Sequence, residues 1–167
     1  MINFSIRELC ESDTAQRMGI DNSTPPPGVL QNLYLTQVGM ERVRSLLGDH
    51  PIQVTSGFRC EALEKVLTAK DYASWCSRRG LTKDDASWKQ YFAGKAHPKG
   101  YAVDFKCPGF GRPLDIVRLL AKSDLKFDQC IEEGTWAHIS FDPKGRKQVL
   151  SANFGADGTP TYTAGVA

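Results

Sequence analysis

Apolar residues recur at intervals of three and four from Val29 to Leu47, through Leu33, Val38, Met40 and Val43. That period predicts an amphipathic helix with one face in a core. Gly48 follows it as a C-cap. Upstream, Pro25-Pro26-Pro27 suits neither helix nor strand, so residues 24–28 read as a rigid connector. Residues 1–22 read as a short helix. Ser5-x-x-Glu8 fits a capping box, and Ser12 or Asp13 can cap a second turn.

Ile52 to Thr55 alternates and runs into Ser56-Gly57, a short strand entering a turn. Residues 61–67 read as helical. Residues 69–93 read as two short helices broken at Gly80, the second opened by Thr82-x-x-Asp85 and closed at Gly94. This segment carries Tyr72, Trp75, Trp88, Tyr91 and Phe92, either an aromatic mini-core or a flap over a cleft. Tyr101 to Cys107 alternates strictly, with Val103 and Phe105 on one face and Ala102 and Asp104 on the other. Residues 113–120 read as a helix, and 126–132 and 136–141 as strands. In the last of these Trp136, His138 and Ser140 share one face. The Gly-, Thr- and Ala-rich tail, 151–167, is expected to form a hairpin or to be loose. The order predicts one α+β domain over residues 1–167, a small antiparallel sheet packed with helices.

Composition narrows the function classes. At 167 residues the chain matches one domain of about 100–200 residues, large enough to bury roughly 70% of its unfolded surface. With 41% hydrophobic and 24% charged residues, neither a disordered chain nor a coiled coil fits. The net charge of +2 and the dispersed Lys and Arg argue against nucleic acid as a partner. No apolar run reaches the length of a membrane span, and the N-terminus has no basic and apolar leader pattern. A chain without a stable membrane anchor, made in a cytoplasm, is therefore expected, and a monomer is expected as well. Five widely spaced cysteines, an odd number with no CxxC pair, read as reduced and mostly buried thiols.

Two of the three histidines stand at chemically suggestive places. Pro98 and Gly100 force a turn after His97, so His97 stands at the mouth of the strand that carries Asp104. The small side chain of Ala102 leaves room beside that carboxylate. His138 lies on the polar face of another strand. If the two strands pair antiparallel, two imidazoles and one carboxylate converge. Two His and one carboxylate with an open position form a catalytic zinc site. Zinc there polarises a carbonyl and lowers the pKa of bound water to about 7. The plainer reading of each histidine is a satisfied core or surface residue.

His97-x-x-Gly100-x-Ala102-x-Asp104, followed by Trp136-x-His138, resembles the D-alanyl-D-alanine carboxypeptidase-like zinc metallopeptidases (peptidase family M15), which include phage endolysins that cut peptidoglycan stem peptides. Phe4-x-x-x-Glu8-Leu9, Ser12-Asp13-Thr14-Ala15, Ile20-Asp21-Asn22, Asn32-Leu33, Thr55-Ser56-Gly57-Phe58-Arg59 and Phe127-Asp128-Gln129 continue the likeness in order. The resemblance implies that His97, Asp104 and His138 bind Zn²⁺. It also implies an acidic general base shortly before the last ligand. Glu132 and Glu133 are the candidates, and the family's Ile-x-Glu step falls on Ile131-Glu132-Glu133 and favours Glu133. Arg59 resembles the arginine that faces substrate, where a guanidinium can fork onto a peptide carboxylate. Lys95 stands where many members have serine, and residues 68–94 replace a short Gly-rich stretch.

The expected function is zinc-dependent hydrolysis of an amide bond in a peptidoglycan stem peptide, as a phage endolysin that acts at the cell wall. The alternative is a catalytically inactive, zinc-stabilised binding or virion structural domain of the same fold.

Overall fold

The computed structural model describes residues 2–156 and 158–166. Met1 of the expected N-terminal helical stretch, and Asp157 and Ala167 of the expected tail, lie outside the described residues. Short helices α1 (Ile6–Cys10) and α2 (Asp13–Arg17) open the chain. The Ser5–Glu8 capping box forms in both directions, and the Ser12 hydroxyl accepts the Ala15 N–H. The long helix α3 spans Pro27–Leu46. The proline connector is thus shorter than its composition suggested, because Pro27 is the first helical residue. Proline suits that position, where its missing N–H has no helical partner to lose.

Strand β1 (Gln53–Ser56), helices α4 (Glu61–Leu67), α5 (Ala69–Arg79) and α6 (Asp85–Ala93), strand β2 (Ala102–Lys106) and helix α7 (Pro113–Lys122) follow. Strands β3 (Gln129–Glu132), β4 (Ala137–Ser140), β5 (Gln148–Phe154) and β6 (Pro160–Ala164) complete the chain. The N-cap of α6 is Asp84, with Ser87 as its reciprocal partner. Thr82 was expected to cap there, but its hydroxyl instead donates to the Asp84 carboxylate. The tail is a hairpin: β5 and β6 pair antiparallel from Leu150–Ala164 to Phe154–Pro160.

The fold is α+β. The six strands form one sheet in the order β1-β2-β4-β3-β5-β6, antiparallel except where β5 joins β3. Its two faces differ in chemistry. Val103, Phe105, Ala137, Ile139 and Cys130 point to one side and pack with Leu33, Met40 and Val43 of α3 and with Ile116, Val117 and Leu120 of α7. These side chains are buried, and each Val, Leu, Ile, Phe or Met among them contributes on the order of 1.5–3 kcal/mol of apolar transfer. Asp104, Ile131, His138, Leu150 and Tyr162 lie on the opposite face, which floors a cleft. All five cysteines are free thiols, with Cys60 half-buried and the other four buried. No helix among the described residues is long and apolar enough to cross a membrane.

Candidate metal site and cleft

Ladder register builds the site. Asp104 faces His138 directly in the β2–β4 pair. On the other flank a bulge at Thr55 brings Ser56, instead of Thr55, opposite Asp104. A bulge re-aims the side chains that follow it. Ser56 uses that position to accept the Arg59 Nε–H at 2.9 Å.

His97 begins a single 3-10 turn, His97–Lys99. Gly100 closes it at φ 74°, and a Cβ there would meet the Val29 carbonyl of α3 at 2.9 Å. Helix α3 holds this turn through Asn32 Nδ2, which donates to the Lys99 carbonyl, and the buried Thr36 hydroxyl, which donates to the Gly100 carbonyl, both at 2.8 Å. The sequence offers one clue to Thr36, a small polar residue inside an apolar helix.

The imidazole of His97 is oriented by Gly57. Its Nδ1 lies 2.7 Å from the Gly57 carbonyl. A carbonyl only accepts, so Nδ1 carries the proton and Nε2 presents its lone pair. Nε2 lies 3.3 Å from Asp104 Oδ1, and His138 Nδ1 lies 2.8 Å from the same oxygen. Burial, followed by the Arg59 charge, pushes His97 below the usual histidine range. Burial acting alone would raise Asp104, but the charges and hydrogen bonds that His97 and His138 supply when protonated outweigh it and hold the carboxyl well below its ordinary value. A neutral imidazole lone pair therefore faces a carboxylate oxygen, a contact that a cation between them would relieve.

One atom from each of the three residues lies within 4.8 Å of the others, and all three residues are buried. This group could bind a metal ion. Its donor set, two imidazole nitrogens and a carboxylate oxygen, fits a divalent transition metal. The His97–Gly57 hydrogen bond supplies the outer partner that fixes a ligating imidazole's tautomer.

Arg59 lines the cleft, but its guanidinium has three protein partners: Ser56, Asp104 Oδ2 at 2.7 Å and the buried Glu64 at 3.5 Å. It thereby turns Asp104 Oδ1 toward the histidines. Glu64 of α4, which the sequence did not single out, is 1% exposed beside the guanidinium.

The two candidate bases part company. Glu132 Oε1 accepts the Gly134 N–H at 2.8 Å, within its own turn. Glu133 lines the cleft with the triad, and its Oε2 accepts the Trp136 indole N–H at 2.6 Å. Burial pushes Glu133 above the usual carboxylate range, and the Asp104 charge adds to the rise against opposition from His138. From β6, Tyr162 lines the same cleft; burial, followed by the Glu133 charge, pushes its phenol up. Nothing in the sequence pointed to Trp136 as a partner of Glu133.

The cleft encloses about 1500 Å³. Residues 68–94 form a helical hairpin around an aromatic cluster, with Trp88 and Tyr91 ring centroids 5.6 Å apart. The base of the hairpin lines the cleft through Thr68, Asp71, Gly94 and Lys95, whereas its aromatic rings do not. The mini-core and the cleft wall are therefore different parts of one segment. A scan against protein-family models finds no match to this chain, and a search of curated proteins finds none either.

Proposed function

We propose that the chain is a zinc peptidase that hydrolyses an amide bond in peptidoglycan stem peptides, in the manner of the phage endolysins its sequence resembles. The observation that carries this reading is the meeting of His97, Asp104 and His138 in one cleft with the separate carboxylate Glu133. His97 Nε2, Asp104 Oδ1 and His138 Nδ1 would hold the ion. When bound, zinc supplies a Lewis acid that polarises the scissile carbonyl and makes water a nucleophile near neutral pH.

The remaining work belongs to the side chains. Glu133 takes a proton from the attacking water and returns it to the leaving amine. Its raised pKa moves the carboxylate toward the range where both transfers are efficient. Trp136 holds that carboxylate in place. Arg59 acts through Asp104, and Gly57 acts through His97. Made in a bacterial cytoplasm, such a protein would act at the wall as a monomer.

The test is digestion of purified stem peptides by the zinc-loaded chain, followed by mass spectrometry. Fragments that disappear with a chelator and return with added zinc support the reading. One metal per chain with no fragment released would instead identify a zinc-stabilised binding domain.

A further inference from the structure

The tail hairpin places in the cleft a residue that no step of the proposed hydrolysis employs. Strand β5 runs parallel to β3, with Ile131 level with Leu150 and Glu132 level with Ser151. One step further, Glu133 stands level with Ala152, whose antiparallel partner on β6 is Tyr162. Alternate residues of a strand share a face. Ile131 and Leu150 face the cleft, and Glu133 and Tyr162 continue that face, with Ala152 packed beside Ile131 and Leu150. Only a methyl group, that of Ala152, therefore stands between Glu133 and Tyr162. Of the charges that act on the Tyr162 phenol, that of Glu133 is the largest, followed by Asp71 and Asp104.

The hairpin is fastened at this end of the sheet. The Phe154 ring packs against Trp136 with centroids 6.5 Å apart, and the Trp136 indole N–H donates to the Glu133 carboxylate. Phe154 pairs with Pro160, two residues before Tyr162. Tyr162 is nonetheless 49% exposed, so a bound chain can reach it.

An amide attacked by water becomes tetrahedral and gathers negative charge on its former carbonyl oxygen, where hydrogen-bond donors stabilise it. A phenol is an uncharged donor. Burial and the neighbouring carboxylates disfavour phenolate, so Tyr162 keeps its proton at neutral pH. The Arg59 guanidinium is engaged by Ser56, Asp104 and Glu64. Arg17, Lys70 and Lys144 also line the cleft, from α2, α5 and the turn after β4, and none of them stands on the strands level with Glu133.

We propose, on the premise that the site is a peptidase, that Tyr162 is a further catalytic residue, whose phenol O–H donates a hydrogen bond to the oxygen of the amide under attack. Water adds across the C–N bond, leaving a carboxylate on one fragment and an amine on the other. The proton that reaches the leaving amine travels through Glu133, and the phenol keeps its own.

The experiment uses Tyr162→Phe, which keeps the ring and removes only the hydroxyl, in the zinc-loaded full-length protein. On a stem peptide that the wild type cleaves, kcat is expected to fall by about 10²–10³, with KM changed by less than about threefold. A stem-peptide analogue with a phosphinate in place of the amide mimics the tetrahedral oxygens. Calorimetry should show it binding the variant at least about tenfold more weakly than the wild type. Zinc content should be the same in both. An unchanged kcat, a loss confined to KM, equal phosphinate affinity, or a kcat loss that follows lost zinc would each overturn the proposal and leave the peptidase reading. A wild-type protein that cleaves no stem peptide would overturn the peptidase reading and this inference with it.

Discussion

Asp104 and His138 are opposed across the β2–β4 ladder, and Asp104 Oδ1 lies 2.8 Å from His138 Nδ1. Opposed residues of an antiparallel pair have Cβ atoms about 4.5–5.5 Å apart on the same face. Strand pairing alone therefore brings these two donors together, and the turn at His97 supplies the third. The site is rigid for the same reason that the sheet is.

Removing one donor should remove the ion. Wild-type protein is expected to carry about one zinc per chain and His138→Ala less than about a tenth of that. A bound ion stabilises only the folded state, by about 2.7 kcal/mol at a hundredfold excess over Kd. Chelation should then lower the wild-type melting temperature by roughly 5–10 °C and leave the variant unmoved. Full metal content in His138→Ala, measured by atomic spectroscopy, would take the residue out of the ligand set.

The adjacent glutamates should behave differently. Glu133→Gln is expected to lower turnover by about 10²–10⁴, with metal content and melting unchanged. Glu132→Gln should stay close to wild type, because that carboxylate bonds the Gly134 N–H. Stem-peptide assays showing the reverse pattern would move the base to Glu132.

Gly57 has no room for a side chain. A Cβ there would lie 2.2 Å from the Leu9 carbonyl oxygen, a backbone atom that also accepts the Phe58 N–H. Gly57→Ala should cost about 1–3 kcal/mol or more. By shifting the carbonyl that orients His97, it should also weaken metal binding about 10–100-fold. Gly28, in the first turn of α3, has nothing within 4 Å, so Gly28→Ala should be neutral or stabilising by about 0.5–1 kcal/mol. Urea unfolding and metal titration of both variants check this; equal behaviour would refute the steric assignment.

Asp128 provides a pH test away from the metal-binding group. Its carboxylate is buried, and the two bonds from Arg146 hold it below the usual carboxylate range. A carboxyl with a depressed folded-state pKa stabilises the fold above its unfolded value, about 3.9, and loses that contribution as pH falls through the folded one. Arg146 is partly exposed, so Arg146→Ala should cost only about 1–2 kcal/mol at pH 7. The gap between variant and wild type should close in acid, below about pH 4. A gap of the same size at pH 3 in urea unfolding would show that arginine packing, not charge, is responsible.

Much of this molecule is legible locally. The Ser5–Glu8 cap, helix α4 and the alternation of β2 depend on residues within a turn or two of each other, and each forms where its pattern stands. Alternation also shows that Asp104 and His138 each face away from the apolar layer. Where two local signals compete, the pattern alone does not choose, as with Thr82 and Asp84 at the start of α6. The boundary of α3 shifted because the tripeptide Pro25–Pro27 combines two proline environments, an extended segment and a helix start.

Side-chain periodicity determined which face each donor takes, since that depends only on backbone geometry at neighbouring residues. Which donors then meet was decided by tertiary structure, because the β2–β4 register joins residues 34 positions apart and the Thr55 bulge sets Ser56 against Asp104. The same holds for Arg59, whose partner Asp104 lies 45 positions away along the chain. It holds for the tail too: it gave no strand alternation strong enough to exclude a loose end, yet its hairpin brings Tyr162 into the cleft that Glu133 lines. Burial, which moves the His97 and Glu133 pKa values in opposite directions, exists only once these elements have packed.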